Sequence, residues 1–412
     1  MNKKLFSKNF MMVVIGQIIS LFGNAALRFA LPLYLLNLTG SSALYGTVTA
    51  CAFLPAILLS PVGGIVADRV NKRNVMVVLD FFTAAVILLF LLFMNSANLI
   101  ILLTVTLMLL YGIAGAYQPS VQASIPALVN QEHFMAANSV INTISSFASF
   151  MGPVLGGVLY SAYGLKTVLW VCTVCFVVSA VMEIFIKIPF HKRDSDGSIW
   201  RVVKADFKES IRFIWKDKPV IGKSLLVICR INLFLSAMIL VALPYLITEV
   251  LNLGAAEANR LYGFANGALA AGGLAGGICA GIFANKLSIQ KSGNLIIASA
   301  VCVFPMGAAL ILCSSGMINY FVITICCFLI MAFSTIFTVQ MMSFIQAETP
   351  QSFIGKVIAV ILTIAMCAQP LGNALYGILF EICKGFEYVV VLFSGVASLL
   401  TAVSARNIYK DF

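Results

Sequence analysis

Apolar residues run along this chain in long stretches, each closed by a charge, a turn residue or a short polar cluster. Twelve such stretches can be read, at about 10–37, 44–66, 74–94, 98–121, 135–160, 164–188, 221–248, 258–284, 291–313, 317–345, 353–380 and 387–405. Crossing the hydrocarbon of a bilayer as a helix takes roughly 20 apolar residues, and each stretch comes close to or exceeds that. Barrel strands would alternate with period two, which these stretches do not, and a helix satisfies its own backbone groups in lipid. The pattern therefore predicts an all-α integral membrane protein of twelve transmembrane helices.

The one long polar interval, Pro189 to Pro219, divides the spans six and six. This predicts an N-terminal six-helix bundle over 1–188, a linker over 189–219 and a C-terminal six-helix bundle over 220–412. Inside the linker Trp200, Val203, Phe207, Ile211 and Ile214 recur at helical spacing, while Lys204, Lys208, Arg212 and Lys216 share another face. Such a segment reads as an amphipathic helix, along the membrane surface or under the bundle.

The two halves carry related sequence. Ala30-Leu31-Pro32-Leu33-Tyr34 answers to Ala242-Leu243-Pro244-Tyr245 at an offset of 212 residues. Leu44-Tyr45-Gly46 answers to Leu261-Tyr262-Gly263 at 217, and that offset also carries Gly64 onto Gly281 and Pro153 onto Pro370. Ordered matches whose offset changes once, in a loop, indicate duplication. Two like-oriented six-helix repeats imply a pseudo-twofold axis along the membrane normal, with a substrate path between the halves opened alternately to either side.

Composition agrees: 61% of the 412 residues are apolar and 10% charged, with a mean hydropathy of +1.03. A soluble globule carries about 25% charged residues, so that class is excluded. The net charge of +11 changes meaning once it is placed. With a cytoplasmic N-terminus, 21 of the 26 basic residues fall on the inner side and three (Lys166, Arg260, Lys384) outside. This is the positive-inside bias. It predicts a multi-pass protein of the cell membrane (in a bacterium, the inner membrane) with both termini cytoplasmic, and no nucleic-acid partner. Most of the 11 cysteines lie in apolar runs, where a thiol behaves as a small hydrophobe. Cys172 and Cys175 form a CxxC, but inside a span and without the βαβ context of a redox motif.

Two motifs carry specific information. After the second span the chain reads Gly64-Ile-Val-Ala-Asp68-Arg69-Val-Asn71-Lys72-Arg73. This resembles the inner-loop motif of the major facilitator superfamily. The resemblance implies that Asp68 and Arg69 help latch the cytoplasmic side, as part of a gating motif of Gly64, Asp68, Arg69, Asn71, Lys72 and Arg73. Asn71 stands where the family has glycine and suits a left-handed conformation better than most residues. At the repeat position, Gly281 is followed by Asn285-Lys286 without the acid, so the latch is expected on one side only. In the fifth span Gly152-Pro153-Val-Leu-Gly156-Gly157 resembles the motif of exporters in this superfamily, ordinary small-residue helix packing being the alternative. Gly273, Gly277 and Gly281 of the eighth span read as such packing. Ile125-Pro126 to Ser139, Thr349-Pro350 to Val357, and Asp206-Phe207 to Ile214 resemble the macrolide-efflux and enterobactin-exporter branch. The resemblance extends over essentially the whole chain and implies the major facilitator fold.

Ionisable groups inside spans are costly and usually functional. Arg28, with Asn24 one turn away, and Arg230, with Asn232 nearby, lie deep in spans one and seven. In the resembling family these spans line the central cavity, so Asn24, Arg28, Arg230 and Asn232 become substrate candidates, unless a buried acid such as Asp80 neutralises an arginine. Gln118, Gln122 and Gln340 are uncharged hydrogen-bonding candidates in spans four and ten. Because no acid lies mid-span in helices one, four, seven or ten, the arginines are expected to favour neutral or anionic compounds. Asp80, two turns into span three, is a candidate proton site or a structural brace. Glu183 reads as a local i,i+4 pair with Lys187, and Glu249 and Glu381 as helix-end acids that reach water.

Gly222-Lys223-Ser224 resembles the end of a phosphate-binding loop, but Asp217 stands where its first glycine belongs and no strand precedes it. His133 and His191 show no metal-ligand pattern, and no nucleophile motif occurs. The expectation is a non-enzymatic, metal- and cofactor-free secondary transporter. It is expected to act as a monomer, exporting a drug or macrolide-like small molecule against an ion gradient, with H+ as the coupling ion implied by the family. The alternatives are export of an endogenous metabolite such as a siderophore, or a transporter-like ligand sensor.

Overall fold

The computed structural model describes residues 7–95, 98–130, 134–186, 207–283, 290, 292–350 and 353–409. Among these the chain is helical throughout, with no strand. The membrane-length helices are α1 (Lys8–Thr39), α2 (Ser42–Arg69), α3 (Lys72–Phe93), α4 (Leu99–Leu128), α5 (134–163), α6 (165–184), α7 (Pro219–Val250), α8 (Ala255–Ile282), α9 (Ser292–Leu312), α10 (Gly316–Glu348), α11 (Ile354–Ile382) and α12 (Glu387–Tyr409). Helices α5 and α6 run on without a loop, separated only by Gly164 at φ 75° and ψ 177°. A side chain is strained at that φ, so glycine makes the turn between the two spans possible. Several helices present apolar outer faces: Leu58 of α2, Leu92 of α3, Ile282 of α8 and Leu312 of α9 are 70–80% exposed, a surface that suits lipid and not water.

The chain packs as two compact units. One comprises Met1–Thr39, Cys51–Ser195 and Ala255–Gly267; the other comprises Gly40–Ala50, Asp196–Gly254 and Ala268–Phe412. Each unit thus takes the first turns of one helix, α8 or α2, whose remainder belongs to the other. In the first unit α1 packs along α5 and α6, and α3 against α4 and α6. In the second, α7 packs on α11 and α12, and α9 between α10 and α12.

Small residues set the close crossings. A Cβ on Gly152 would fall on Ala25 of α1, and one on Gly156 would come within 3.3 Å of Ala26 Cα. Gly157 faces Gly263 in the first turns of α8, whose own Cβ would lie 2.9 Å from the Pro153 carbonyl oxygen. The second unit repeats the device: a Cβ on Gly46 would strike the Asn373 carbonyl oxygen and come within 2.8 Å of Gly377 Cα. Glu381 binds the start of α2 there, accepting from the Ser41 hydroxyl at 2.8 Å and the Ala43 amide at 3.3 Å.

Three expectations need correction. In the second half of α8 the closely packed glycines are Gly272 and Gly276, whose Cβ positions are filled by the Phe328 and Ala332 carbonyls of α10. Among the described residues Gly277 and Gly281 meet nothing within 4 Å, and Gly273 only ordinary contacts. Asn71 is not left-handed. It sits at φ −60° and ψ 114° as the N-cap of α3, its side chain accepting from the Arg73 amide at 3.1 Å, the role for which asparagine is favoured there. In the linker, helix and a π turn cover the described end, 207–217. Its buried residues are Ser210 and Ile214, whereas Phe207 is 43% exposed. The face therefore turns away from the periodicity. Ile214 and Trp215 press on Gly222 of α7, Phe213 meets Phe353 edge-on, and Lys356 pairs with Glu209 at 3.4 Å. This end docks on the second unit. Trp200 and Val203 lie outside the described residues.

Candidate functional site

In the first unit, polar side chains of four helices converge. Gln17 and Ser20 of α1, Asp80 of α3, Tyr117 of α4 and Ser179 and Glu183 of α6 are all at most 3% exposed. Gln17 Nε2 donates to the Tyr117 hydroxyl at 2.9 Å, and that hydroxyl donates to Glu183 Oε1 at 2.7 Å. The Ser20 hydroxyl donates to Asp80 Oδ1 at 3.1 Å, and Ser179 donates to the Gly16 carbonyl at 3.1 Å. Periodicity places Gln17 and Ser20 one turn apart, and 1.5 Å per residue keeps them within reach of one acid-bearing layer. Glu183 is therefore more than a helix-end acid, since its carboxylate faces inward to Tyr117. Lys187, its expected partner, lies outside the described residues. The sequence missed Gln17 and Tyr117, although a polar side chain inside an apolar span was a usable signal.

Arg28 is half-buried and stacks on Tyr111 of α4, its guanidinium carbon 4.0 Å from the ring centroid. Its Nε is buried without an acceptor among the described residues. Its contact is thus an aromatic face, and among the described residues it makes no ion pair with Asp80. Asn24 is half-buried one turn away, Gln118 is half-buried and Gln122 exposed. Arg230 is exposed, and Asn232 donates to the Ala365 carbonyl at 2.9 Å. Gln340 is 8% exposed. Arg28→Gln is expected to lower the melting temperature, since a cation–π contact contributes about 0.5–2 kcal/mol, while Arg230→Gln leaves it within error. Thermal unfolding of the purified protein reads both, and equal losses would remove the distinction.

The remaining motif residues are placed as follows. Gly64, Asp68 and Arg69 end α2, but their side chains lie outside the described set, as do Asn285 and Lys286. Lys72 opens α3. The Arg73 guanidinium donates to Asn74 Oδ1 at 3.1 Å and to the Ile184 carbonyl at 3.4 Å. It thus ties the start of α3 to the C-terminus of α6, where a cation suits the helix dipole.

A cavity of about 400 Å3 opens in the second unit between α7, α10 and α11, with Ile296 and Ser299 of α9 at its edge. Its wall is mostly apolar and includes Met331, Met341, Met342 and Met366; Asn232, Ser236, Ser334, Thr335 and Thr338 add uncharged polar groups. None of the lining residues carries a charge. Size and lining suit a small organic molecule, and methionine adapts to irregular apolar shapes. The α7 wall is irregular, with a π turn over Asn232–Ser236, a feature frequent at functional sites. Arg28 belongs to the first unit, and neither Arg230 nor Gln340 lines the cavity. Of the substrate candidates only Asn232 does.

The family model of the Major Facilitator Superfamily matches residues 13–403. Macrolide efflux protein A of Streptococcus pyogenes is 22% identical over 366 residues, 87% of this chain and 85% of that protein. Lysophospholipid transporter LplT of Yersinia pestis is 26% identical over 223 residues, 52% of this chain and 51% of its own length. In fold, the crystal structure of nucleoside transporter NupG superposes with a TM-score of 0.77 at 11% identity, covering 98% of this chain and 100% of that one. A bacterial homologue of the iron transporter ferroportin in its inward-facing state gives 0.72 at 17% identity, covering 96% and 98%.

Proposed function

This chain belongs to the major facilitator superfamily and is a multi-pass membrane transporter and not an enzyme; from that premise we propose that it falls in the macrolide-efflux-like branch and exports amphipathic organic molecules with a large apolar body, macrolides first, in exchange for protons. The observation that carries this reading is the uncharged, methionine-lined cavity of about 400 Å3. An apolar wall with a few hydroxyls and an amide favours a bulky, weakly polar molecule over an ion or a sugar. The relatives named for macrolide efflux and lysophospholipid transport support the same chemistry, a large apolar part carrying a polar group. A lysophospholipid is the second reading, favoured by that relative and by the mostly apolar lining.

In this reading the halves 1–188 and 220–412 form the two bundles, the termini face the cytoplasm of a bacterial cell, and the chain works by alternating access. The basic bias of the inner loops supports that orientation. Asp68 and Arg69 latch the cytoplasmic side. The Gly152, Pro153, Gly156 and Gly157 surface lets α5 run against α1 and the start of α8 with only backbone between them. Such contact fits a surface on which helices slide during transport.

The test is transport by the full chain in liposomes. With an imposed proton gradient, labelled erythromycin is expected to accumulate on the acidic side, and a labelled lysophospholipid serves the second reading. Flux of erythromycin alone supports the first reading, and flux of the lipid alone supports the second. Gradient-independent binding of either without flux supports a sensor and overturns export.

A further inference from the structure

The buried acids of the first unit contain more acceptors than the fold supplies with donors. Asp80 and Glu183 each receive one hydroxyl, from Ser20 and Tyr117. Asp80 Oδ2, Glu183 Oε2 and Gln17 Oε1 are buried and have no hydrogen-bond donor among the described residues. Gln17 is 0% exposed and its amide is held in place by its bond to Tyr117, so its vacant oxygen is fixed within the same network. An unsatisfied buried acceptor costs about 1–3 kcal/mol, and more when charged.

No described cation compensates either. Among the described residues no basic group makes an ion pair with either acid. The charges that approach along the packed elements are engaged elsewhere: Arg28 of α1 on the Tyr111 ring, Arg73 of α3 on Asn74 and Ile184. On α4 the titratable groups are Tyr117, bonded to Glu183, and Tyr111, under Arg28. On α6 the group is Glu183 itself, with Ser179 beside Asp80. The neighbouring core contributed by α1, α4 and α5 is apolar, with Val13, Val121 and Ile141. Two carboxylates buried in one such layer, at 1% and 0% exposure, are costly to ionise together. One proton eases both defects, because it removes a charge and turns one of the three vacant oxygens into a donor for another.

We infer that Asp80 and Glu183 form a proton-binding site that holds one exchangeable proton within the α1–α3–α4–α6 core, with Tyr117 and Gln17 positioning the Glu183 carboxyl. The inference rests on the transport reading only for its role: the proton held here is the one exchanged for substrate. When it leaves, two like charges face each other between α3 and α6. The Tyr117 hydroxyl and Gln17 amide carry the change to the α1–α4 contact, the same contact in which Arg28 lies on Tyr111. No covalent step is involved; the proton comes from bulk water on one side and returns to it on the other.

Infrared difference spectroscopy of the full-length protein in lipid, titrated across the neutral range, reads the site without any substrate. A protonated-carboxyl band is expected in the wild type and lost in Asp80→Asn plus Glu183→Gln. Tyr117→Phe should keep the band but shift its frequency, because the hydroxyl bonded to Glu183 is gone. Lys187→Gln should leave it in place. Absence of the band from the wild type, or its persistence in the double amide variant, overturns the site. In liposomes carrying erythromycin, Glu183→Gln is expected to lose gradient-driven accumulation by about tenfold or more while exchange without a gradient continues. Undiminished gradient-driven accumulation in the double variant also overturns it. If the wild type moves no erythromycin, the macrolide reading falls, and the infrared band still decides the proton site.

Discussion

Gly46→Val is expected to push α2 off α11 and to lower the melting temperature by several degrees. The Cβ would strike the Asn373 carbonyl oxygen and come within 2.8 Å of Gly377 Cα and 3.1 Å of Gly377 N. These are backbone atoms inside a helix, so neither can turn aside as a side chain would. The helices must separate, which also pulls the start of α2 from Glu381. Overpacking of this kind costs about 1–3 kcal/mol, and in a domain of 150–250 residues each kcal/mol shifts the midpoint by roughly 2–4 °C. Gly263→Val should behave alike, because its Cβ would meet the Pro153 carbonyl oxygen at 2.9 Å and Gly157 Cα at 3.1 Å. Gly277→Val is the control, with nothing within 4 Å among the described residues. Thermal unfolding in detergent separates the three; a Gly46 variant that melts with the Gly277 control would refute the tight crossing.

Thr335→Phe is expected to lower erythromycin affinity by about tenfold or more, equivalent to 1.4 kcal/mol or above. Thr335 is half-buried on α10 and lines the cavity. A phenyl ring there occupies space that the ligand would need and deletes one of the few hydroxyls in the wall. The bond that ties α7 to α11, from Asn232 to the Ala365 carbonyl, is untouched, so the melting temperature should hold within a few degrees. Equilibrium binding of labelled erythromycin to the purified protein is the measurement. Unchanged affinity in a variant of normal melting temperature would place the substrate elsewhere.

How far the sequence carries can be judged from particular residues. Gly152, Pro153, Gly156 and Gly157 were visible as a close-approach surface because small residues at helical spacing have few other uses in a span. What they approach, Ala25, Ala26 and Gly263, was not visible. Along α8 the periodicity suggested Gly273 and Gly277, whereas the packed face carries Gly272 and Gly276. A step of one residue turns a helix by about 100°, and in a lipid-facing span with apolar residues all round nothing in the pattern marks which side meets a neighbour. Asn71 shows the same limit on a smaller scale. Its type fitted a special backbone position, and only the dihedrals distinguished a left-handed residue from a helix cap.

The chemistry divides similarly. Asp80 stood out as an acid in an apolar span. Glu183 read as a partner for the lysine one turn away, yet its hydroxyl donor, Tyr117, lies 66 residues distant. Arg28 suggested a cavity cation, and its neighbour proved to be an aromatic ring on another helix. The cavity itself is built from four helices and from methionines that in sequence are indistinguishable from core.

The sequence by itself determined that the protein lives in a membrane, how many times it crosses, and the family to which it belongs. These follow from one-dimensional quantities: the length of apolar runs set against bilayer thickness, and contiguous motifs. Tertiary structure alone decided which helix faces meet, that α2 and α8 each divide between the two packing units, and that two acids, a tyrosine and a glutamine share one buried site. The reason is that in lipid an apolar surface has no need to be hidden. Burial therefore leaves little trace in the sequence, and close packing and hydrogen bonding, which select the partners, appear only when the helices are placed side by side.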